Sequence, residues 1–281
     1  MVSGMTNAPA LGPRRLLAVL AAGLFAVGIV GPATVSAVDV ASSASITANE
    51  STMVTLLNKD RAAHGLVAVR TDSRLMAIAR ARSADMAAKG YFSHTQPDGR
   101  NIFDILNGDR IAWYAAGETI AWNTYSLSQT TSVANSQWMN SSGHRAIILS
   151  SNYNYVGVGL AQASNGRFYW TAVFMKGPDR TGAKAAVASA RVTTGPTSTT
   201  RRVRISWTGA DVRLQVLTAG LHYFTVQRRI DAGGWSQVWS ATSLTAASFN
   251  VTVGHRTEFR ISAVDKKGNR GTWVSRVVDL R

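Results

Sequence analysis

Three side chains in this sequence stand out for chemistry: His94 in KGYFSHTQPDGR, Glu118 in AAGETIAW and His144 in WMNSSGHRAIIL. Imidazoles and carboxylates carry protons and bind metals near neutral pH. His94 follows a helical stretch and precedes the turn signature Pro97-Asp98-Gly99, so its ring either caps a helix end or faces a pocket. Phe92 beside it reads as core. His144 follows a Ser-Gly break where a helix restarts. Glu118 follows a glycine within an apolar, aromatic stretch; a carboxylate buried there needs a partner, and Arg145 is a candidate. The two histidines are 50 residues apart, so no local metal motif joins them.

The other candidates read as structural. His64 precedes a helix-stopping glycine and suits the negative end of a helix. His222 and His255 fall on a strand and at a turn, and Asp98 and Asp104 read as turn and cap residues. The chain has no cysteine, which excludes disulfides, thiolate catalysis and thiolate-bound metal. Any metal must use histidine and carboxylate. No nucleophile elbow, phosphate-binding glycine loop or HExxH is present.

Length and composition bound the scaffold. The 281 residues are 46% hydrophobic, enough for one large or two ordinary domains. Net charge is +15, which favours anionic partners. At the N-terminus Arg14-Arg15 precede fifteen apolar residues, LLAVLAAGLFAVGIV, and the small residues Val35-Ser36-Ala37. That pattern predicts a secretory signal over residues 1–37, cleaved after Ala37. The apolar run is short for a membrane span, which needs roughly 20 residues, so no transmembrane anchor is expected after cleavage. Export argues against nucleic acid as a partner and for an extracellular or wall-associated location.

The elements that must position the candidates follow from periodicity. ESTMVTLLNKDRAAHG predicts a helix with Met53, Leu56 and Leu57 on one face, after a small-residue lead-in, VDVASSASITA. TDSRLMAIARARSADMAAKG predicts a second helix, capped by Asp72 or Ser73 and ended by Gly90, with Leu75, Ile78, Ala79 and Met86 as its stripe. Its alanines predict close packing. NIFDILNG and SLSQTTSVANSQWMN read as further helices, the latter followed by a turn at HRAIIL. YVGVGLAQA and RFYWTAVFM, joined at Asn165-Gly166, predict a hairpin. Residues 179–199 read as a linker, and short alternating strands from 200 to 281 predict a β-sandwich folding independently of the first block. Charge is uneven: residues 46–178 carry a net +4 and residues 197–281 a net +8. Trp207, Trp235, Trp239 and Trp273 of the sandwich would either fill or flank its core or bind sugar.

The ordered set LLNKDRAAHGL, DSRLMAIARARSADMAAKGYFSHTQPDG, GETIA, WMNSSGHRAIIL, YVGVGLA and YWTAVF resembles the bacterial branch of the CAP superfamily, which comprises cysteine-rich secretory proteins, antigen 5 and pathogenesis-related 1 proteins. The resemblance implies an α-β-α sandwich domain over residues 46–178, with a cavity lined by two histidines and two glutamates. His94, Glu118 and His144 match three of these; the fourth position falls at Ser141, and Thr119 stands where the family has asparagine. The resemblance further implies that His94 and His144 hold a divalent metal such as zinc. Residues 200–281 resemble fibronectin type III-like domains through ISWTGAD, AGLHYFTVQRR, GGWSQV and FRISAVDKKGNRG, departing at Thr257 where a tyrosine is usual. Three functions compete on this reading. The leading one is a secreted binding or scaffold module for a metal, small molecule or lipid, its basic sandwich associating with anionic cell-wall polymer. The alternative is a metal-dependent hydrolase with Glu118 as general base. The third is a wall protein whose cavity is inert.

Overall fold

The computed structural model describes residues 37–281. The expected export signal lies outside them, apart from Ala37 at its end. Among the described residues no helix is long and apolar enough to cross a membrane.

Helix α1, Ala37–Ala63, starts earlier than its apolar stripe suggests, because the small-residue lead-in joins it. Strand β1 is the short Arg70–Thr71. Helix α2, Ser73–Lys89, is capped by Asp72, whose side chain accepts from the amides of Arg74 and Leu75, and ends at Gly90 with φ 69°, a left-handed conformation that suits glycine. Helix α3, Ile102–Gly108, opens on a capping box between Asn101 and Asp104. The stretch around Glu118 forms strand β2, Ala115–Asn123, which periodicity did not single out. Helices α4, Thr130–Asn140, and α5, Ser142–Ile148, meet at Ser141. Strands β3, Tyr155–Gln162, and β4, Phe168–Lys176, form the expected hairpin, with Gly166 at φ 84°.

The four strands lie in the order β1-β3-β4-β2, so β2 has one edge without a strand partner. Alternation divides the sheet between two helical layers. Val156, Val158, Leu160, Trp170, Ala172 and Phe174 pack with Met53 and Leu57 of α1 and Ala134 and Trp138 of α4. On the other face Tyr155, Val173 and Met175 pack with Leu75, Ile78 and Ala79 of α2 and with Ile102 and Leu106 of α3. Gly157 and Gly159 let α2 approach very closely: an added Cβ would lie 2.0 Å from the Leu75 carbonyl carbon and 2.2 Å from that of Ala79.

The segment expected as a linker is largely strand. Strand β5, Lys184–Thr194, pairs antiparallel with β6, Thr200–Ala210, from Lys184↔Ala210 to Thr194↔Arg201. Its pattern escaped notice because its inward positions, Ala185, Val187 and Ala190, are mostly small and only partly buried. Strands β7 (Leu221–Ile230), β8 (Ser236–Thr242), β9 (Ala246–Thr252), β10 (Arg256–Asp265) and β11 (Val274–Asp279) complete the second block. Sheets β5-β6-β9 and β11-β10-β7-β8 enclose one core that includes Val203, Ile205, Trp207, Phe224, Val226, Phe259 and Ile261. Thr257 is buried.

The two blocks are also joined more closely than the sequence suggests. Leu214, in the β6–β7 loop, is 3% exposed and belongs to the same apolar cluster as Leu75, Ile78 and Tyr155. In that loop the Gln215 side-chain oxygen accepts from the Val67 amide at 2.6 Å. The Arg180 amide donates to the Tyr155 hydroxyl at 2.9 Å. Asp179 accepts from the amides of Thr181 and Ala219, both at 2.8 Å, and lies beside Asp211 and Asp265. The sandwich therefore covers part of the first block's core, and the connector is short and ordered.

Candidate functional site

Arg82 continues the buried stripe of α2 beyond Ile78 and Ala79 and is 1% exposed. A guanidinium so placed must meet a carboxylate and several acceptors. Its Nε donates to Glu118 Oε1 at 2.9 Å and its Nη2 to Oε2 at 3.3 Å. Nη2 also donates to the carbonyls of Ser93 and His94 at 2.9 and 3.1 Å, and Nη1 to the Tyr91 hydroxyl at 3.0 Å. One cation thus ties helix α2, strand β2 and the loop carrying His94. Burial opposes the charge on Arg82, but the hydrogen bond and charge of Glu118 outweigh it and raise the pKa. Burial and the hydrogen bond to Asp85 push Tyr91 up to about 12.

Arg82, not Arg145, is therefore the partner of Glu118. Arg145 is exposed, and its guanidinium reaches the Met139 carbonyl at 3.4 Å. The sequence held a signal for Arg82: a charged residue at the helical spacing of an apolar stripe predicts a buried ion pair.

His94 donates from Nδ1 to Glu118 Oε2 at 2.8 Å, while its side chain remains 54% exposed. Its ring centroid lies 6.4 Å from that of His144, with the planes tilted by 52°. The histidines are thus close neighbours in space although 50 residues apart in sequence. Burial, then the charge of His94, lowers the pKa of His144, which favours the neutral imidazole that metals bind. Ser141 sits at the α4–α5 junction with φ −92° and ψ 121°, and its side chain makes no capping hydrogen bond.

A pocket of about 460 Å³ opens beside this pair, its walls including Phe92, Trp122, Tyr125, Gln137, Trp138, Ser141 and His144. His94 and Glu118 lie outside its lining. Phe92, expected in the core, is 45% exposed here, and Tyr125 is 53% exposed. A second cavity of similar volume lies between α2 and α3, where Arg82 meets Ile78, Gln96, Ile105 and Ile111; it contains no histidine. Next to Glu118 on β2, Thr119 is fully buried, and among the described residues its hydroxyl has no hydrogen-bond partner.

The remaining histidines fall elsewhere. His64 Nδ1 contacts the Asp60 carbonyl at 2.8 Å, at the end of α1. His255 pairs with Asp231 at 2.7 Å, and His222 packs edge-on against Tyr223.

The donor set fits a divalent metal in part. Two imidazoles face one region, and one of them has its Nδ1 fixed by a carboxylate, the arrangement that orients histidine ligands in metal sites. Glu118 has both oxygens engaged by Arg82 and His94, so the pair lacks a ready third protein ligand.

Residues 54–174 match the profile of the cysteine-rich secretory protein family, CAP. Over 146 residues the chain is 36% identical to the uncharacterised protein YkwD of Bacillus subtilis, covering 51% of this chain and 54% of that one. It is 33% identical over 130 residues to the uncharacterised membrane protein YlbC of the same organism, covering 46% of this chain and 35% of that one. The chain thus spans about half of one relative and a third of the other. A crystal structure of an extracellular SCP-domain protein from Bacillus anthracis superposes with a TM-score of 0.41 at 28% identity, covering 46% of this chain and 41% of that one. With its helical layers on either side of a four-stranded sheet, and that profile matched along the block's length, the segment from residue 54 to 174 is a CAP domain of the cysteine-rich secretory protein family.

Proposed function

We propose that the CAP domain is an extracellular binding module in which His94 and His144 hold a divalent ion, with the adjoining pocket receiving a small or lipid-like ligand. The single observation carrying this reading is the 6.4 Å approach of the two imidazoles, one of them oriented by a buried carboxylate. Imidazole donors suit zinc and its neighbours. An ion held by two protein ligands keeps open positions, and it would supply Lewis acidity to a ligand oxygen. The chain's own contribution is positional. Arg82 holds Glu118, Glu118 holds the His94 ring, and burial lowers the pKa of His144. The aromatic walls at Phe92, Trp122 and Tyr125 offer apolar contact, while Gln137 and Ser141 offer hydrogen bonds.

The hydrolase reading assigns Glu118 as general base. Its burial and pairing weigh against that role, because both carboxylate oxygens already accept hydrogen bonds from Arg82 and His94.

Titration calorimetry with zinc tests the binding reading. The parent should bind modestly, and His94→Ala and His144→Ala should each lose about tenfold or more in affinity, as expected when one of two ligands is removed. Ser141→Ala should bind as the parent does. Either histidine variant binding zinc like the parent would sink the shared site.

A further inference from the structure

Arginine and tryptophan alternate in a row of five side chains, Arg229, Trp235, Arg260, Trp273 and Arg270, of which Arg229 and Arg260 stand on β7 and β10 and the others in the segments that lead into β8 and β11. The Arg229 guanidinium carbon lies 4.6 Å from the Trp235 ring centroid. That of Arg260 lies 4.1 Å from Trp235 and 4.5 Å from Trp273. That of Arg270 lies 5.5 Å from Trp273. Strand register places Arg229 and Arg260 on one face: Arg229 is opposite Glu258 and Arg260 opposite Gln227, whereas the intervening Phe259 is fully buried in the sandwich core.

The row is positively charged beyond what its neighbours neutralise. Glu258 is already engaged by Arg229 at 2.6 Å and Arg256 at 3.3 Å. Arg260 donates to the Gln227 side-chain oxygen and Arg270 to the Thr225 hydroxyl, each at 2.7 Å. Among the described residues neither has a carboxylate within salt-bridge distance. Guanidiniums lie over both indole rings, which blocks sugar stacking on those faces. Stacking also fixes each guanidinium plane; Arg229 gives its Nε and Nη2 to Glu258, whereas Arg260 and Arg270 each give one N–H to a neutral side chain and keep the others for a further acceptor. A row of fixed forks suits a linear polyanion better than a compact anion. A phosphodiester chain meets this need, because each link carries one charge on two non-bridging oxygens that accept from guanidinium N–H groups and the links repeat along the chain.

We propose that this arginine–tryptophan row is the docking surface for a phosphodiester-linked wall polymer. The proposal deepens the envelope association expected of the basic sandwich and rests only on the protein acting outside the cell; it is independent of the metal site.

Binding of fluorescently labelled poly(glycerol phosphate) to the full chain tests it. The parent should bind with an affinity that falls as salt rises. Arg260→Gln with Arg270→Gln should weaken binding about tenfold, given the strength of charge-assisted forks. Arg202→Gln with Arg204→Gln removes the same charge from exposed positions on β6 of the opposite sheet and should change affinity less than about twofold. Circular dichroism checks the fold; if the first pair melts, the exposed Arg270→Gln alone should still weaken binding about threefold. His94→Ala should bind the polymer normally, which separates this surface from the metal site. The proposal is overturned if the parent fails to bind, or if the two arginine pairs lose affinity equally. It is equally overturned if neutral dextran, polyglutamate or single-stranded DNA binds the row more tightly than poly(glycerol phosphate).

Discussion

At the scale of the residue, the site turns on a buried ion pair rather than on the exposed histidine beside it. Arg82 and Glu118 have side chains only 1% and 2% exposed, whereas that of His94 is 54% exposed. Removing one member of such a pair leaves the other charge buried and uncompensated. Glu118→Gln should therefore cost about 3–5 kcal/mol in urea unfolding. His94→Ala should cost no more than about 1 kcal/mol, as for most exposed positions. A Glu118→Gln protein as stable as the parent would show that solvent or another group shields Arg82. Glu118 lies under the site as structure, and a loss of zinc binding in its variants must be judged against their stability.

Among the elements, α2 does most to assemble the domain. Its stripe packs on the sheet, Asp72 and Gly90 set its limits, and Arg82 reaches the histidine loop. The close approach depends on Gly157 and Gly159 in β3. In Gly159→Ala the new Cβ would meet backbone atoms of Ala79 and Arg80 about 2.2 Å away, and backbone cannot yield as a side-chain tip does. We expect a loss of about 3 kcal/mol, the upper range for overpacking, together with weaker zinc binding as Arg82 moves. Gly166→Ala strains only the β3–β4 turn and should leave zinc affinity unchanged. Equal effects of the two substitutions on zinc affinity would refute this account of α2.

For the whole molecule, the CAP domain and the sandwich are mechanically linked. Leu214 from the β6–β7 loop is buried in the apolar cluster that contains Leu75 and Ile78, and Gln215 accepts from the Val67 amide. Burying a leucine contributes about 1.5–3 kcal/mol. A chain ending at Pro178 should therefore melt well below the full protein. Leu214→Ser in the full chain should lower the CAP transition by several degrees, at about 2–4 °C per kcal/mol. Scanning calorimetry would read both, and an unchanged CAP transition in the shortened chain would show that the two domains are independent after all.

Much of this was legible in the sequence because it depends on local pattern. The α2 stripe and its caps, the β3–β4 hairpin and the strand-rich C-terminal block follow from periodicity, turn chemistry and spacing, while the grouping of His94, Glu118 and His144 was implied by the resemblance to the CAP superfamily. The absence of cysteine narrowed the chemistry in the same way. Other features depend on which surfaces meet. Strand β2 was hidden because its partner, β4, lies some fifty residues downstream. Strand β5 was hidden by its small inward residues. The pairing of Glu118 with Arg82 instead of Arg145, the stacking of arginines on Trp235 and Trp273, and the seating of Leu214 on the CAP domain are long-range contacts. Their energies come from desolvation and close packing between segments distant in the chain, so only the tertiary structure decides them.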